Sequence, residues 1–129
     1  MLNAILSAKE AKCNSLNIET DFDVALLNGK ITENSDICRM LTNLLDNAIN
    51  ATQTALSGRK IILKITEDDN STIVTAKNPF DENKLKKSEE GHGYGLKIIS
   101  DIVKKYNGRF DIDKENGFFV TQIILPNEK

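Results

Sequence analysis

The sequence predicts an α/β (α+β) two-layer sandwich, a mixed, mostly antiparallel sheet with three helices on one face. Two observations carry this. The segments run in the order helix, strand, helix, two strands, loop, helix, hairpin. Four of the strand-like runs also fall into adjacent pairs joined by short polar turns, as antiparallel neighbours do. At 129 residues the chain has the length of one domain, enough to bury roughly two thirds of its surface without staples.

Each element has its own signature. Residues 2–15 read as a helix, with Leu2, Ile5, Leu6, Ala8 and Cys13 on one side. Ile18 to Leu26 alternates as a strand, Ile18, Phe22 and Val24 being in step, and Asn28-Gly29 turns the chain. Asn34-Ser35 offers an N-cap for a long helix from about Asp36 to Leu56, closed by Ser57-Gly58. Ile61–Thr66 and Thr72–Ala76 are strands joined by the polar turn Glu67–Ser71. Residues 81–90 are almost wholly polar without a period and read as a loop. A helix spans about Tyr94 to Tyr106, where Ile98, Ile99, Ile102, Val103 and Tyr106 recur at helical spacing, and Asn107-Gly108 stops it. Arg109–Asp113 and Phe118–Leu125 form a hairpin around Asn116-Gly117, a pair suited to a type I′ turn.

Composition excludes several function classes. Lys and Arg number 17 against 19 Asp and Glu, a net charge of −2. No basic excess is available to release counterions from duplex nucleic acid, so none is expected as a partner. Apolar runs are only a few residues long, which leaves no bilayer-spanning segment, and no signal peptide opens the chain. Cys13 and Cys38 stand in unrelated contexts; two cysteines suit a reducing compartment and exclude a disulfide scaffold or a cysteine-based zinc site.

The long helix contains NLLDNAIN at residues 43–50. At roughly 100° per residue, Leu41, Leu44, Leu45, Ala48 and Ala55 share the sheet-facing side, and Asn43, Asn47 and Asn50 gather on another. A polar stripe can be a solvated helix back. Asparagine is an odd choice for one, since each costs roughly 0.5 kcal/mol of helix propensity against Ala. A carboxamide can donate and accept at once, and its oxygen can ligate a hard cation without adding charge. Magnesium bound to phosphates needs few protein oxygens, because phosphates and waters complete its octahedron.

Residues 91–96, Gly-His-Gly-Tyr-Gly-Leu, put glycine at every second position directly before an amphipathic helix. Either this is a hinge, or its backbone N–H groups and the helix N-terminus cradle an anion, with Lys84, Lys86 and Lys87 nearby. It is neither the dinucleotide fingerprint, which needs glycine where Leu96 stands, nor a Walker A loop, which needs Gly-Lys-Ser/Thr. His92 has no partners at ligand spacing and reads as a loop residue lending its backbone.

Taken together, NLLDNAIN, the charged loop and GHGYGLKIISDIVKKYNG, followed by a hairpin ending in Ile-Leu-Pro, resemble the GHKL superfamily. Within it, they are similar to the catalytic and ATP-binding domain of bacterial sensor histidine kinases. The resemblance runs from about Ile18 to Pro126. It implies a Bergerat-type ATP-binding fold over residues 16–129, with residues 1–15 a remnant of an upstream dimerisation helix or a leading helix. It implies ATP and Mg²⁺ as cofactors, with Asn47 the metal ligand, Asn43 holding phosphates and metal, and Asn50 standing where a basic residue often meets phosphate. Gly91, His92, Gly93, Tyr94, Gly95 and Leu96 would form the glycine loop and the start of its helix, and Ala51 falls where an aromatic often flanks the base.

Two departures from the family pattern matter. The first glycine box, usually Asp-x-Gly-x-Gly, is replaced by Thr75-Ala76-Lys77-Asn78-Pro79-Phe80. Asn78 keeps an acceptor for the adenine amino group but not its charge, as in the peptide- and citrate-sensing branches; Asn78-Pro79 can equally be an ordinary turn. Hydrolytic superfamily members carry a Glu four residues before the metal Asn. Here Asn43 stands there, and an amide takes no proton near neutral pH, so kinase fits better than ATPase.

The resemblance therefore implies a histidine kinase domain that delivers the ATP γ-phosphate to a His on an upstream helical hairpin. No histidine precedes His92, so the acceptor is expected outside this chain, which would not phosphorylate itself alone. Expected partners are that hairpin and a response regulator. The fragment would be monomeric or weakly dimeric and cytoplasmic, its parent a homodimer at the cell membrane. Alternatives are a degenerate module kept for protein contacts, which would not bind Mg²⁺-dependent ATP, and an anti-sigma-type serine kinase, which usually carries the missing Glu.

Overall fold

The computed structural model describes residues 1–26, 34–84 and 93–126. In chain order the elements are α1 (Leu2–Ser15), β1 (Glu19–Ala25), α2 (Ser35–Thr52), β2 (Lys60–Glu67), β3 (Ser71–Pro79), α3 (Gly93–Lys105), β4 (Arg109–Glu115) and β5 (Phe118–Pro126). The five strands lie in the order β1-β2-β3-β5-β4. Only the β1–β2 pairing is parallel, so the sheet is mixed and mostly antiparallel as expected. A parallel pair needs a crossover, and α2 supplies it.

One face of the sheet is closed and the other open. Ile61, Leu63 and Ile65 of β2, Val74 and Ala76 of β3, and Ile123 and Leu125 of β5 are buried in one cluster with Leu41, Leu45 and Ile49 of α2 and Ile99 and Val103 of α3. Leu2, Leu6 and Cys13 of α1 join the same cluster. Alternate residues on the other face, such as Lys60, Ile62 and Lys64, are exposed. The period of two in the strands thus divides core from solvent.

Local chemistry sets the ends. Asn34 caps α2, its side-chain oxygen accepting from the Ile37 N–H at 3.0 Å. Both α1 and α3 end in Schellman turns: Ile18 N–H reaches the Cys13 carbonyl and Gly108 N–H the Val103 carbonyl, each at 2.8 Å. The left-handed residues there are Asn17 and Asn107, at φ of 59° and 57°, because asparagine tolerates that region when glycine is absent. Gly108 serves close approach instead: a Cβ on it would stand 2.5 Å from the Ile124 carbonyl oxygen. Asn116 and Gly117, at φ of 50° and 81°, make the expected two-residue turn between Glu115 and Phe118.

Several expectations shift. α2 ends at Thr52, four residues before Leu56, which is 80% exposed. Carbonyls at and past the helix end are taken locally: Thr54 Oγ1 donates to Ala51 O, and Arg59 donates to Gln53 O and Ala55 O. Ala55 is buried nonetheless. β3 runs on through Asn78-Pro79, which pair with Phe119 and Phe118; the missing N–H of Pro79 is tolerated at a strand end. Ala8 is exposed, the stripe of α1 being narrower than expected. Residues 82–84, expected in a loop, are helical, with the Asp81 carboxylate accepting from Asn83 N–H and Lys84 N–H. The Asn28-Gly29 turn, Lys86, Lys87 and the rest of that loop lie outside the described residues.

Candidate functional site

The site is built where α2 passes the N-terminus of α3. The two helices run antiparallel, since the N-terminal residues of α2 meet the C-terminus of α3 while Asn43 and Asn47 meet its first turn. α2 presents apolar residues to the sheet, which leaves Asn43 and Asn47 at the edge of that buried face, both half-buried. A Cβ built on Gly95 would lie 3.3 Å from Asn47 Oδ1, 3.6 Å from Asn47 Nδ2 and 3.6 Å from Asn43 Oδ1. Glycine is what lets the start of α3 come against these two carboxamides.

Hydrogen bonding distinguishes the two amides. Asn43 Nδ2 donates to the Arg39 carbonyl at 2.9 Å, one turn back, and this fixes its oxygen on the Gly95 side. Asn47 Nδ2 is buried and has no partner among the described residues. A buried orphan amide costs about 1–3 kcal/mol. Such an atom is a seat for something polar.

The N-terminal turn of α3 adds the electrostatic part. Its first N–H groups lack intrahelical acceptors and carry the positive end of the helix dipole, a setting for anions. Gly93, Tyr94 and Gly95 occupy that turn. Among the described residues no group of three or more His, Cys, Asp or Glu is gathered to hold a cation. A divalent cation here would rest on a neutral amide oxygen together with oxygens brought by a phosphate ligand.

Farther along α2 lies the second half of the site. Asp81 N–H donates to Thr54 Oγ1 at 2.8 Å, which holds the end of β3 beside the end of α2. Asn78 is 4% exposed and faces the helix layer. Its Nδ2 donates to the Pro79 carbonyl at 3.1 Å, leaving the side-chain oxygen as the group offered onward. Thr52, fully buried, also has its hydroxyl without a partner among the described residues. The last turns of α2 thus carry two buried polar atoms without partners among the described residues, Asn47 Nδ2 and Thr52 Oγ1, about 8 Å apart along the helix.

The structure therefore brings Asn43, Asn47 and Gly95 into one cluster, with Asn78 buried apart from it near the end of β3. Gly95 stands in contact with the amides, with no gap between them. Asn50 is exposed on the rim, and Leu96, expected to begin the packed part of the helix, is 37% exposed. Packing in α3 begins at Ile98 and Ile99, because the first turn projects past the core. Ala51 is buried. Gly91 and His92 lie outside the described residues, and Gly93 and Tyr94 are described by backbone alone. Sequence reasoning missed Thr54, whose hydroxyl holds Asp81 at the end of β3, and the position of Phe119 across from Asn78. Counting from the Asn-Gly turn puts Phe119 opposite Lys114; its pairing with Asn78 comes from the β3–β5 register, which no local turn sets.

Comparison with known proteins bears on the family and the fold. The sequence profile of the GHKL domain matches residues 32–126. The nucleotide-free catalytic domain of the histidine kinase ThkA superposes with a TM-score of 0.67 at 22% identity, over 97% of this chain and 90% of that one. A second ThkA form gives 0.68 at 23%, with the same coverage. Full-length ShkA in complex with AMPPNP gives 0.70 at 16%, over 97% of this chain and 29% of ShkA. At such identities the likeness is one of fold. No curated protein matches the chain by sequence.

Proposed function

The chain belongs to the GHKL domain family, and from that premise we propose that it is the ATP-binding catalytic domain of a two-component sensor histidine kinase. It delivers the γ-phosphate of ATP to a histidine on a helical hairpin. The observation that carries this reading is the contact of Gly95 with Asn43 and the orphan amide of Asn47 at the positive end of α3. The fold it shares with the ThkA catalytic domain and with AMPPNP-bound ShkA supports it. The Asn78-Pro79-Phe80 stretch supports the peptide- or citrate-sensing branch. The partners that follow are the hairpin and a response regulator, in a homodimeric parent at the membrane with this domain in the cytoplasm.

Each residue then has a task. The turn at Gly93–Gly95 binds phosphate oxygens through backbone N–H groups. Asn47 is the residue to ligate Mg²⁺, which when bound neutralises phosphate charge. Asn43, its nitrogen committed to Arg39 O, turns its oxygen to the same place and cannot take a proton from water. Hydrolysis lacks a general base, and the γ-phosphate is spared for an imidazole that needs positioning more than activation. Asn78 offers an acceptor to the 6-amino group of adenine, its nitrogen being held by Pro79 O.

Calorimetric titration with ATP, with and without Mg²⁺, tests the reading; no Mg²⁺-dependent binding at millimolar ATP would leave a protein-contact module. Transfer to a separately supplied hairpin bearing the acceptor histidine tests the kinase step. Asn43→Glu reintroduces a base at the hydrolytic position, and ATP hydrolysis should rise by roughly 10²-fold. Unchanged hydrolysis would remove the argument from Asn43.

A further inference from the structure

Two of the five phenylalanines stack on each other beside Asn78 and have no place in the site as assigned. Phe119 is the direct cross-strand partner of Asn78. Phe80 lies two residues after Asn78, so strand alternation puts all three on the helix-covered side of the sheet. The ring centroids are 4.3 Å apart, with the planes inclined at 27°. Lys114, opposite Phe119 on β4, holds its ammonium 5.4 Å from the Phe119 ring and 5.8 Å from the Phe80 ring. Val74, Ala76 and Ile123 on the same face are shut off from solvent, whereas Phe80 and Phe119 are half-buried.

Their position follows from two bonds. Phe80 N–H donates to the Gly117 carbonyl at 3.0 Å, closing the β3–β5 ladder. The next residue, Asp81, is tied to Thr54 beyond the end of α2. The rings therefore lie at the end of the line Asn47–Ala51–Thr54 that is remote from the phosphate-facing turn. Between these ends α2 carries only the methyl of Ala51 on a residue 5% exposed, so no aromatic of α2 itself stands there.

We propose that the Phe80–Phe119 pair is the aromatic platform for the purine ring, and so a determinant of affinity for the base as opposed to the phosphates. The proposal rests on the nucleotide reading above. A purine offers π-faces and an edge of donors and acceptors. Asn78 meets the edge, and the adjacent rings meet a face. Stacked on each other, the rings hold one another's orientation and leave outer surface for a third planar group. A plug that merely sealed the core would be buried like its neighbours; these rings stay half-open under a cation.

Affinities of the full chain for Mg²⁺·ATP and for Mg²⁺·tripolyphosphate, measured by calorimetry, test this. Phe119→Leu keeps apolar bulk and removes the π-face. ATP affinity should fall about tenfold while tripolyphosphate affinity holds, and Phe119→Tyr should restore ATP binding. Phe80→Leu should repeat the pattern. ATP affinity unchanged in both leucine variants, or an equal loss of both ligands, overturns the platform. In the unsubstituted chain, adenosine should shift the ring-proton resonances of Phe80 and Phe119, and rings that do not respond also overturn it, whatever the variants' folding. A chain that binds tripolyphosphate and ATP equally refutes the platform and leaves the phosphate site standing. A chain that binds neither refutes the nucleotide reading itself.

Discussion

Helices α2 and α3 meet at two ends, and the ends differ in one respect. Where the start of α2 meets the close of α3, the side chains of Asn34, Asp36, Lys105 and Tyr106 are bonded to one another. Tyr106 donates its hydroxyl to Asp36 Oδ2 at 2.9 Å, Lys105 donates to the same oxygen at 2.7 Å, and Asn34 Nδ2 donates to the Tyr106 oxygen at 3.2 Å while its own oxygen caps the helix. At the other end, Asn47 Nδ2 is buried with nothing to bond among the described residues. A saturated network holds structure; an unsaturated one, kept at a free-energy cost, is where a ligand completes the hydrogen bonding. The staple at Asp36 fixes the helix pair so that Gly95 comes to rest on Asn47.

Substitutions at the two ends should separate binding from stability. Asn47→Ala should have the largest effect, lowering Mg²⁺-dependent ATP affinity and phosphotransfer by roughly a hundredfold or more, with thermal unfolding little changed because a buried orphan is removed. Full activity in that variant would erase the contrast between the ends. Gly95→Ala should split the two readouts in sign. Helix propensity favours alanine by up to about 1 kcal/mol, yet its Cβ would press on Asn47 Oδ1 at 3.3 Å. The melting point should hold or rise while ATP affinity drops; denaturation curves and titrations read the two separately.

Tyr106→Phe belongs to the saturated end. It should lower stability by about 1 kcal/mol in urea unfolding and leave the chemistry of the phosphate turn intact. Smallest, and conditional on pH, is Asp36→Asn. Hydrogen bonds from Lys105 and then Tyr106 hold the Asp36 carboxyl below the usual carboxylate range. A lowered pKa contributes stability above the unfolded-state value, and that contribution vanishes as pH falls through the folded-state value. The gap in unfolding midpoint between the native chain and Asp36→Asn should be complete at neutral pH and close under acid. The pair is exposed on the lysine side, so 1 M salt should also narrow it. A gap insensitive to both would mean that Asp36 acts through packing.

Much of this was legible in the chain itself. Asn34 announces the start of α2 because a short polar side chain there can reach the N–H three residues on. Asn116-Gly117 announces the hairpin because both residues accept positive φ. Apolar spacing located Leu41, Leu44, Leu45 and Ala48 in the core and put Asn43 and Asn47 on one edge. The end of α2 was less legible. Thr54 takes the Ala51 carbonyl and Arg59 the Gln53 and Ala55 carbonyls just past the helix, and a window of helical periodicity does not register side chains folding back from beyond it. The stripe on α1 was overdrawn at Ala8 for a similar reason: alanine fits either face, and packing against α2 and β1 selects among them.

The sequence by itself determined the elements, the order in which they come and the chemical character of the two motifs, because periodicity, capping and turn propensity are local physics. Only the tertiary structure decided that Gly95 comes against Asn43 and Asn47, that Asn78 keeps its oxygen free while Pro79 holds its nitrogen, and that Phe80 meets Phe119. Each of these depends on how strands register and helices cross, and burial and hydrogen-bond satisfaction summed over the whole core fix that, with no short stretch of residues encoding it.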